Sequence, residues 1–500
     1  MNAQLAPSPA PATLARHTVA VAHGDGIGPE ITDAVLHVLR AADCPIDFAP
    51  VRMGEQAYLA GDSAGVPAEA WDVLARHRVL LKGPMTTPQG GGYKSVNVTL
   101  RKTLGLYANV RPCVAYHPYV YSAHPGMDVV IVRENEEDTY GGIEHRQTAE
   151  VAQCLKLITR PGCERIVRHA FEYAVRHGRR KVTCLTKDNI MKMTDGLFHR
   201  VFDEVAREYP QIAADHRIID IGAARLATRP KDFDVVVTLN LYGDILSDIA
   251  AEMAGSIGMA ASSNVGLHGA MFEAVHGSAP DIAGKNIANP SGMLLAAVMM
   301  LLHLGERAAA ERIHNAWLCT LEDGIHTPDV FNESTSKRRV GTREFAHAVA
   351  ERLGREPRHL QPVRYGASDE AANAPAARID APAAAPEPAK TCDGVDIFLD
   401  WHPAQRDPEA LATQLRAACP DGLRLAVITN RGVKVWPHGH PDTFCSDHWR
   451  CRFVGEQGEV SPRAILALMQ KLVDAGLPPI KSENLYRFDG ERGYSVAQGE

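Results

Sequence analysis

Residues Gly366 to Lys390 read GASDEAANAPAARIDAPAAAPEPAK, and a stretch this rich in alanine and proline lacks the apolar side chains needed to bury itself. It divides the chain. The expected organisation is a disordered tail over 1–16, a first domain over 17–365, a linker over 366–391 and a second domain over 392–500. With 45% apolar and 23% charged residues, the 500-residue chain is ordinary globular material, which excludes collagen, coiled coil and wholesale disorder. A net charge of −7 gives no electrostatic reason to bind nucleic acid or an anionic membrane surface, so a small-molecule ligand is expected. The longest apolar run, Leu294 to Leu302, falls far short of the roughly 20 residues that cross a bilayer and reads as a buried core helix. The N-terminus lacks a basic segment followed by an apolar one, so a cytoplasmic location is expected. Ten cysteines form no C-x-x-C pair, as suits a reducing compartment. His438, His440, Cys445, His448 and Cys451 carry zinc-type donors, although their spacing matches no standard zinc module.

In the first domain, β-branched runs at 18–22, 79–82, 128–132, 181–186 and 234–238 alternate with segments of helical period, an α/β pattern. The segment 289–305 is apolar nearly all round, as a helix buried between layers or subunits would be. After the linker the order is strand, helix, strand with a hairpin at Asn430-Arg431-Gly432, strand, helix, strand. That βαββαβ order predicts a small ferredoxin-like α+β domain, of a type that binds effectors or buttresses a dimer.

Four constellations carry chemistry. The first, HGDGIGPE at 23–30, follows a strand and opens a helix, and its glycines permit a tight turn with close backbone approach; alone it fits a nucleotide site or a plain turn equally. The second is NLYGDILSD at 240–248. Asp244 and Asp248, four apart, share one helix face, where two like charges need a compensating positive charge that Mg²⁺ or Mn²⁺ would supply. Third, Ser95, Asn97, Arg101, Arg111 and Arg133 combine polar groups with three guanidiniums suited to a substrate bearing several carboxylates. Tyr140 and Lys187 form the fourth, as candidate proton donors and acceptors.

Taken in order, GDGIGPE, LKGPMTTP, RENEEDTYGGIEH, NLYGDILSD and EAVHGSAPDIAGKNIANP resemble the β-decarboxylating isocitrate and 3-isopropylmalate dehydrogenases, over residues 17 to 353. TNRGVKVWP, RCRFVG and FDGERGYSVAQG resemble the appended C-terminal domain of the longer bacterial isocitrate dehydrogenases. The resemblance implies a non-Rossmann α/β fold and a homodimer whose active sites are shared between subunits. It assigns Arg101, Arg111 and Arg133 to the substrate carboxylates, and Ser95 and Asn97 to the extra carboxylate of isocitrate. Asp244 and Asp248, with Asp220 of the partner subunit, are implied as ligands of Mg²⁺ or Mn²⁺. Lys187, also from the partner, and Tyr140 are implied as the proton acceptor and donor.

Thr87, Glu273, His276 and Asn289 match the cofactor contacts of such enzymes. Asp281-Ile282 stands where the NADP-users place Lys-Tyr, and a carboxylate there accepts from the ribose hydroxyls and repels a 2′-phosphate, so NAD is the expected cofactor. The expected activity is NAD-dependent oxidative decarboxylation of isocitrate to 2-oxoglutarate. Use of NADP, oxidation of homoisocitrate or isopropylmalate, and a ligand-sensing role centred on the C-terminal domain are the alternatives.

Overall fold

The computed structural model describes residues 16–88, 92–366 and 387–499, so all of the expected tail but Arg16 and most of the expected linker lie outside the described residues. The chain divides into two compact units, one of residues 1–141 with 156–379, the other of residues 142–155 with 380–500.

The first unit is built on a ten-stranded sheet. In chain order its strands are β1 (His17–Ala22), β2 (Ile46–Pro50), β3 (Val79–Lys82), β4 (Ala108–Val114) and β5 (Asp128–Glu134). Two short strands, β6 (Glu144–Arg146) and β7 (Ala152–Cys154), pair as a hairpin that belongs to the second unit. The sheet continues with β8 (Lys181–Thr186), β9 (Ala213–Ile218), β10 (Val235–Thr238), β11 (Ala261–Val265) and β12 (Ala270–Ala274), in the spatial order β2-β1-β3-β12-β11-β4-β5-β10-β8-β9. β3, β10, β11 and β12 are buried along their whole length because helices cover the sheet, which is why β3 and β10 read as unbroken apolar runs rather than alternating ones.

Two parallel blocks, β2-β1-β3-β12 and β5-β10-β8-β9, are joined through β11 and β4, each antiparallel to both neighbours. This mixed order is not that of a dinucleotide-binding Rossmann sheet. Its register sets polar residues side by side across the middle. Lys82 lies opposite Glu273, Asn264 opposite Asn109, and Asn109 opposite Arg133. The all-round apolar segment forms the helix Ser291–His303, which packs Met293, Ala297 and Leu301 into the largest core cluster.

The second unit has a six-stranded antiparallel sheet with β15 (Lys390–Asp400) at its centre, after the short pair β13 (Ile325–His326) and β14 (Arg338–Arg339) of the first unit. Its other strands are β16 (Leu423–Asn430), β17 (Val433–Trp436), β18 (His448–Gly455), β19 (Pro479–Phe488) and β20 (Glu491–Arg492), in the order β17-β16-β18-β15-β19-β20. β15 begins at Lys390, two residues inside the expected linker. The helices Pro408–Ala418 and Pro462–Asp474 bury Leu411, Leu415, Leu468 and Leu472 against Ile397, Ile428 and Phe453. This is the split βαββαβ arrangement anticipated from the element order. Among the described residues no helix is long and apolar enough to cross a membrane.

Candidate active site

The loop after β1 is held by its own carboxylate. Asp25 accepts from the backbone N–H of Thr86 at 2.9 Å and of Glu55 at 3.1 Å, while the Ile27 N–H donates to the Ser278 carbonyl at 2.8 Å. Gly26 has φ +57°, and a Cβ there would lie 2.0 Å from the Ser278 carbonyl oxygen, so only glycine lets these loops meet. Pro29 then occupies the first turn of the helix Gly28–Ala41.

Beside this loop, fully buried Lys82 puts its ammonium 2.6 Å from Glu273, which also pairs with Arg101 at 3.0 Å and accepts from Asn264 at 2.8 Å. Burial opposes the Glu273 charge, but Lys82 and Arg101 overcome it and hold the carboxyl far below its ordinary range. Lys82 lies within the LKGPMTTP motif without having been singled out; its only sequence signal is a lysine ending an apolar strand.

Asp244 is where Arg111, Arg133 and Tyr140 of the expected site residues meet. Arg133, 1% exposed at the end of β5, donates to the Asn240 amide oxygen at 3.0 and 2.7 Å and bonds Asp244 directly. Arg111, on β4, lies 3.4 Å from both Asp244 and Asp248 and donates to Asn109 at 2.7 Å. The two carboxylates share one face of the helix Asn240–Ala254, as their spacing requires, and Arg111 supplies the positive charge between them. Tyr140 donates its hydroxyl to the other Asp244 oxygen, with Arg133 stacked 4.8 Å from its ring.

The electrostatics follow from this packing. Burial works against the Asp244 charge, yet Arg133, Arg111 and the Tyr140 hydroxyl hold its pKa below the usual value. Asp248 is pushed up by burial and by Asp244, with Arg111 opposing. Tyr140 is raised by burial and by Asp244, so at neutral pH it keeps its proton. Burial, with Arg111 and Arg101 nearby, lowers Arg133 to about 10.

Lys187 and Asp220 form a separate pair at 3.0 Å, on the loop after β8 and the first turn of the helix Ile219–Thr228. The Lys187 hydrogen bond holds Asp220 below the ordinary carboxylate range. Behind Lys187, its backbone N–H donates to Asp195, and Lys156 bridges Asp195 and Asp138 at 3.1 Å each. Asp138 in turn accepts from the Leu241 N–H at the start of the helix that carries Asp244 and Asp248. This buried network positions the residues around it, and no local motif announces it.

Of the remaining expected residues, Ser95 caps the helix Val96–Thr103 and accepts from Thr87 at 3.2 Å. The Asn97 amide oxygen is buried without a protein partner, as is Nε2 of His276. Asn289 donates to Asp329 at 2.9 Å. Asp281 and Ile282 sit in the turn Pro280–Ile282, with Asp281 exposed. Asn286 ties this loop to the residues just after β14 by accepting from the Arg343 N–H at 3.0 Å and donating to Glu344 at 2.9 Å. Lys285, Lys337, Arg338 and Arg339 are all exposed around that junction.

The proposed zinc donors do not assemble. Cys451 is buried in the core of the second unit, and His440 turns to Asp442. Among the described residues only Asp188, His199 and His216 group closely enough to share an ion.

Comparison with known proteins agrees with this architecture. Residues 18–349 match the family model described as isocitrate/isopropylmalate dehydrogenase, and residues 390–500 match that of the bacterial isocitrate dehydrogenase C-terminal domain. A Rickettsia felis protein named isocitrate dehydrogenase [NADP] is 50% identical over 96% of this chain and 99% of its own. A Thermus thermophilus protein of the same name is 45% identical, covering 97% and 96%. The crystal structure of a Thermus thermophilus protein superposes with a TM-score of 0.90 at 44% identity, over 97% of this chain and 96% of the other. These relatives overturn the expectation of NAD. The inference gave Asp281 more weight than the basic residues around it: the loop also carries Lys285 and is tied to the segment bearing Lys337, Arg338 and Arg339.

Proposed function

Because this chain belongs to the isocitrate/isopropylmalate dehydrogenase family, we propose that it oxidises isocitrate and releases 2-oxoglutarate and CO₂, with NADP as hydride acceptor. The observation that carries the chemistry is the convergence of two buried guanidiniums and the Tyr140 hydroxyl on Asp244. Arg101, Arg111 and Arg133 bind the substrate carboxylates as bidentate donors. Ser95 and Asn97 favour isocitrate over an alkyl-bearing malate, since a hydroxyl and an amide N–H can donate to the extra carboxylate, whereas an alkyl chain offers them no acceptor.

Asp244 and Asp248, with Asp220 of the partner subunit, form an all-oxygen donor set that fits Mg²⁺ or Mn²⁺. Such an ion supplies Lewis-acid polarisation of the substrate's oxygens. Lys187 of the partner subunit takes the proton of the 2-hydroxyl at Nζ, and Tyr140, protonated at neutral pH, delivers one to the carbon that CO₂ leaves. Thr87, Glu273, His276 and Asn289 line the cofactor's place beside Asp281 and Ile282, and the unpaired His276 Nε2 is an open hydrogen-bonding group there. Lys285, Arg338 and Arg339 meet the 2′-phosphate.

Ile221, Ile245 and Ile249 are exposed on the helices that carry Asp220, Asp244 and Asp248, an apolar surface suited to a second copy of the chain. This surface supports a homodimer with shared active sites. The deciding assay measures initial rates with isocitrate and Mn²⁺, running NADP and NAD in parallel and repeating after EDTA. Metal-dependent turnover favouring NADP is expected. Turnover of isopropylmalate but not isocitrate would overturn the substrate assignment.

A further inference from the structure

The C-terminal sheet gives one face to its two helices and leaves the other polar. Along β18, Trp449, Cys451 and Phe453 point into the core, so His448, Arg450 and Arg452 project from the opposite face. On that face a cavity of about 350 Å³ is lined by Thr429, Arg431, His448, Arg450 and Lys481, with Gln153 of the β6–β7 hairpin at its rim.

Its charge is unbalanced. Three cations line it against one carboxylate, Glu483, which pairs with Lys481 at 2.7 Å. Asp396 beneath is already held by Arg452 through two hydrogen bonds of 2.8 and 2.9 Å. Arg450 keeps its Nε on the Thr429 hydroxyl at 3.0 Å and stands 3.8 Å from Asp396, while Arg431 spends its Nε and Nη2 on the Phe444 carbonyl.

The second observation is His448. It is 9% exposed, and its Nε2 is buried without a protein partner. A buried ring nitrogen left so is destabilising unless something outside the chain bonds it. Burial and the Lys481 cation lower its pKa, with Asp447 and Asp400 opposing, so at neutral pH the ring is uncharged and holds one N–H to donate.

We propose that this cavity binds a small oxyanion of at least two negative charges, a phosphate-bearing or polycarboxylate metabolite, gripped by Arg431, Arg450 and Lys481 and hydrogen-bonded by His448 Nε2. The ligand would order this face of the second unit and so act as an effector.

The test is titration calorimetry on the full chain with inorganic pyrophosphate and, separately, malonate. The wild type is compared with the double variant R431Q/K481Q and with His448→Phe, which keeps a ring but removes the donor. The expected result is one site per chain whose affinity falls about tenfold or more in both variants, with a cooperative melting transition and the isocitrate KM retained. Binding of pyrophosphate alone would assign a phosphate group, and binding of both a general dianion site. Equal affinity in wild type and variants, or no heat from either probe at about 10 mM, overturns the proposal.

Discussion

The Lys82 ammonium stands 2.6 Å from the Glu273 carboxylate, and both groups are buried in the sheet. Neither charge is tolerable there alone. In the variant Lys82→Met, Glu273 keeps Arg101 as a partner, so the expected loss is about 2–4 kcal/mol, at or somewhat below the usual cost of breaking a buried pair. Denaturant unfolding with a change under about 0.5 kcal/mol would show that the pair is not a stabilising feature.

Tyr140→Phe removes one hydroxyl and leaves the ring under Arg133. As the proton donor to the decarboxylated carbon, its loss should lower kcat by about 10²–10⁴-fold while isocitrate KM changes little. A variant with normal kcat would transfer that role to another group.

Arg338 and Arg339 are exposed next to the loop that carries Asp281. R338E/R339E should weaken NADP by about tenfold or more while leaving NAD turnover nearly unchanged, because the extra phosphate distinguishes the two cofactors. Equal losses with both would mean that these arginines support the loop and do not read the phosphate.

Buried His169 has its pKa pulled by desolvation from the ordinary 6.5 to about 4. The unfolded chain therefore binds a proton that the folded chain refuses between those two values. Stability from this group is complete above pH 6.5 and is lost as pH falls toward 4, by up to about 3 kcal/mol. His314, also lowered to about 4 by burial, acts in the same direction. The melting temperature should fall from pH 7.5 to 5.0, and His169→Leu should shrink that fall; an unchanged pH dependence would exclude His169 as a source.

The sheet was readable where sequence and burial agree. β3, β5, β8 and β10 are dense in valine, leucine or isoleucine and were anticipated as strands. β11, ASSNV, and β12, AMFEA, lack that signature; burial at the centre of the sheet decides their conformation, not propensity. The Asp244–Asp248 face was legible from a spacing of four, but the charge between them came from Arg111, a long way off in sequence. The cofactor reading failed on relative weight. Asp281, Lys285 and the basic run at 337–339 are all visible in sequence, but the tie through Asn286 that joins the two segments exists only in three dimensions.

The β6–β7 hairpin lies between two stretches of the first unit yet is bonded to the second, with Thr148 and the Glu150 N–H donating to Asp447 and Arg406 paired with Glu150 at 2.6 Å. The C-terminal sheet is consequently moored to the body of the chain by more than one thread. Severing the chain anywhere in 367–386 leaves the hairpin joined covalently to the first unit and clasped by the fragment it faces. A nicked molecule would then travel as one particle through a sizing column and come apart only under denaturant.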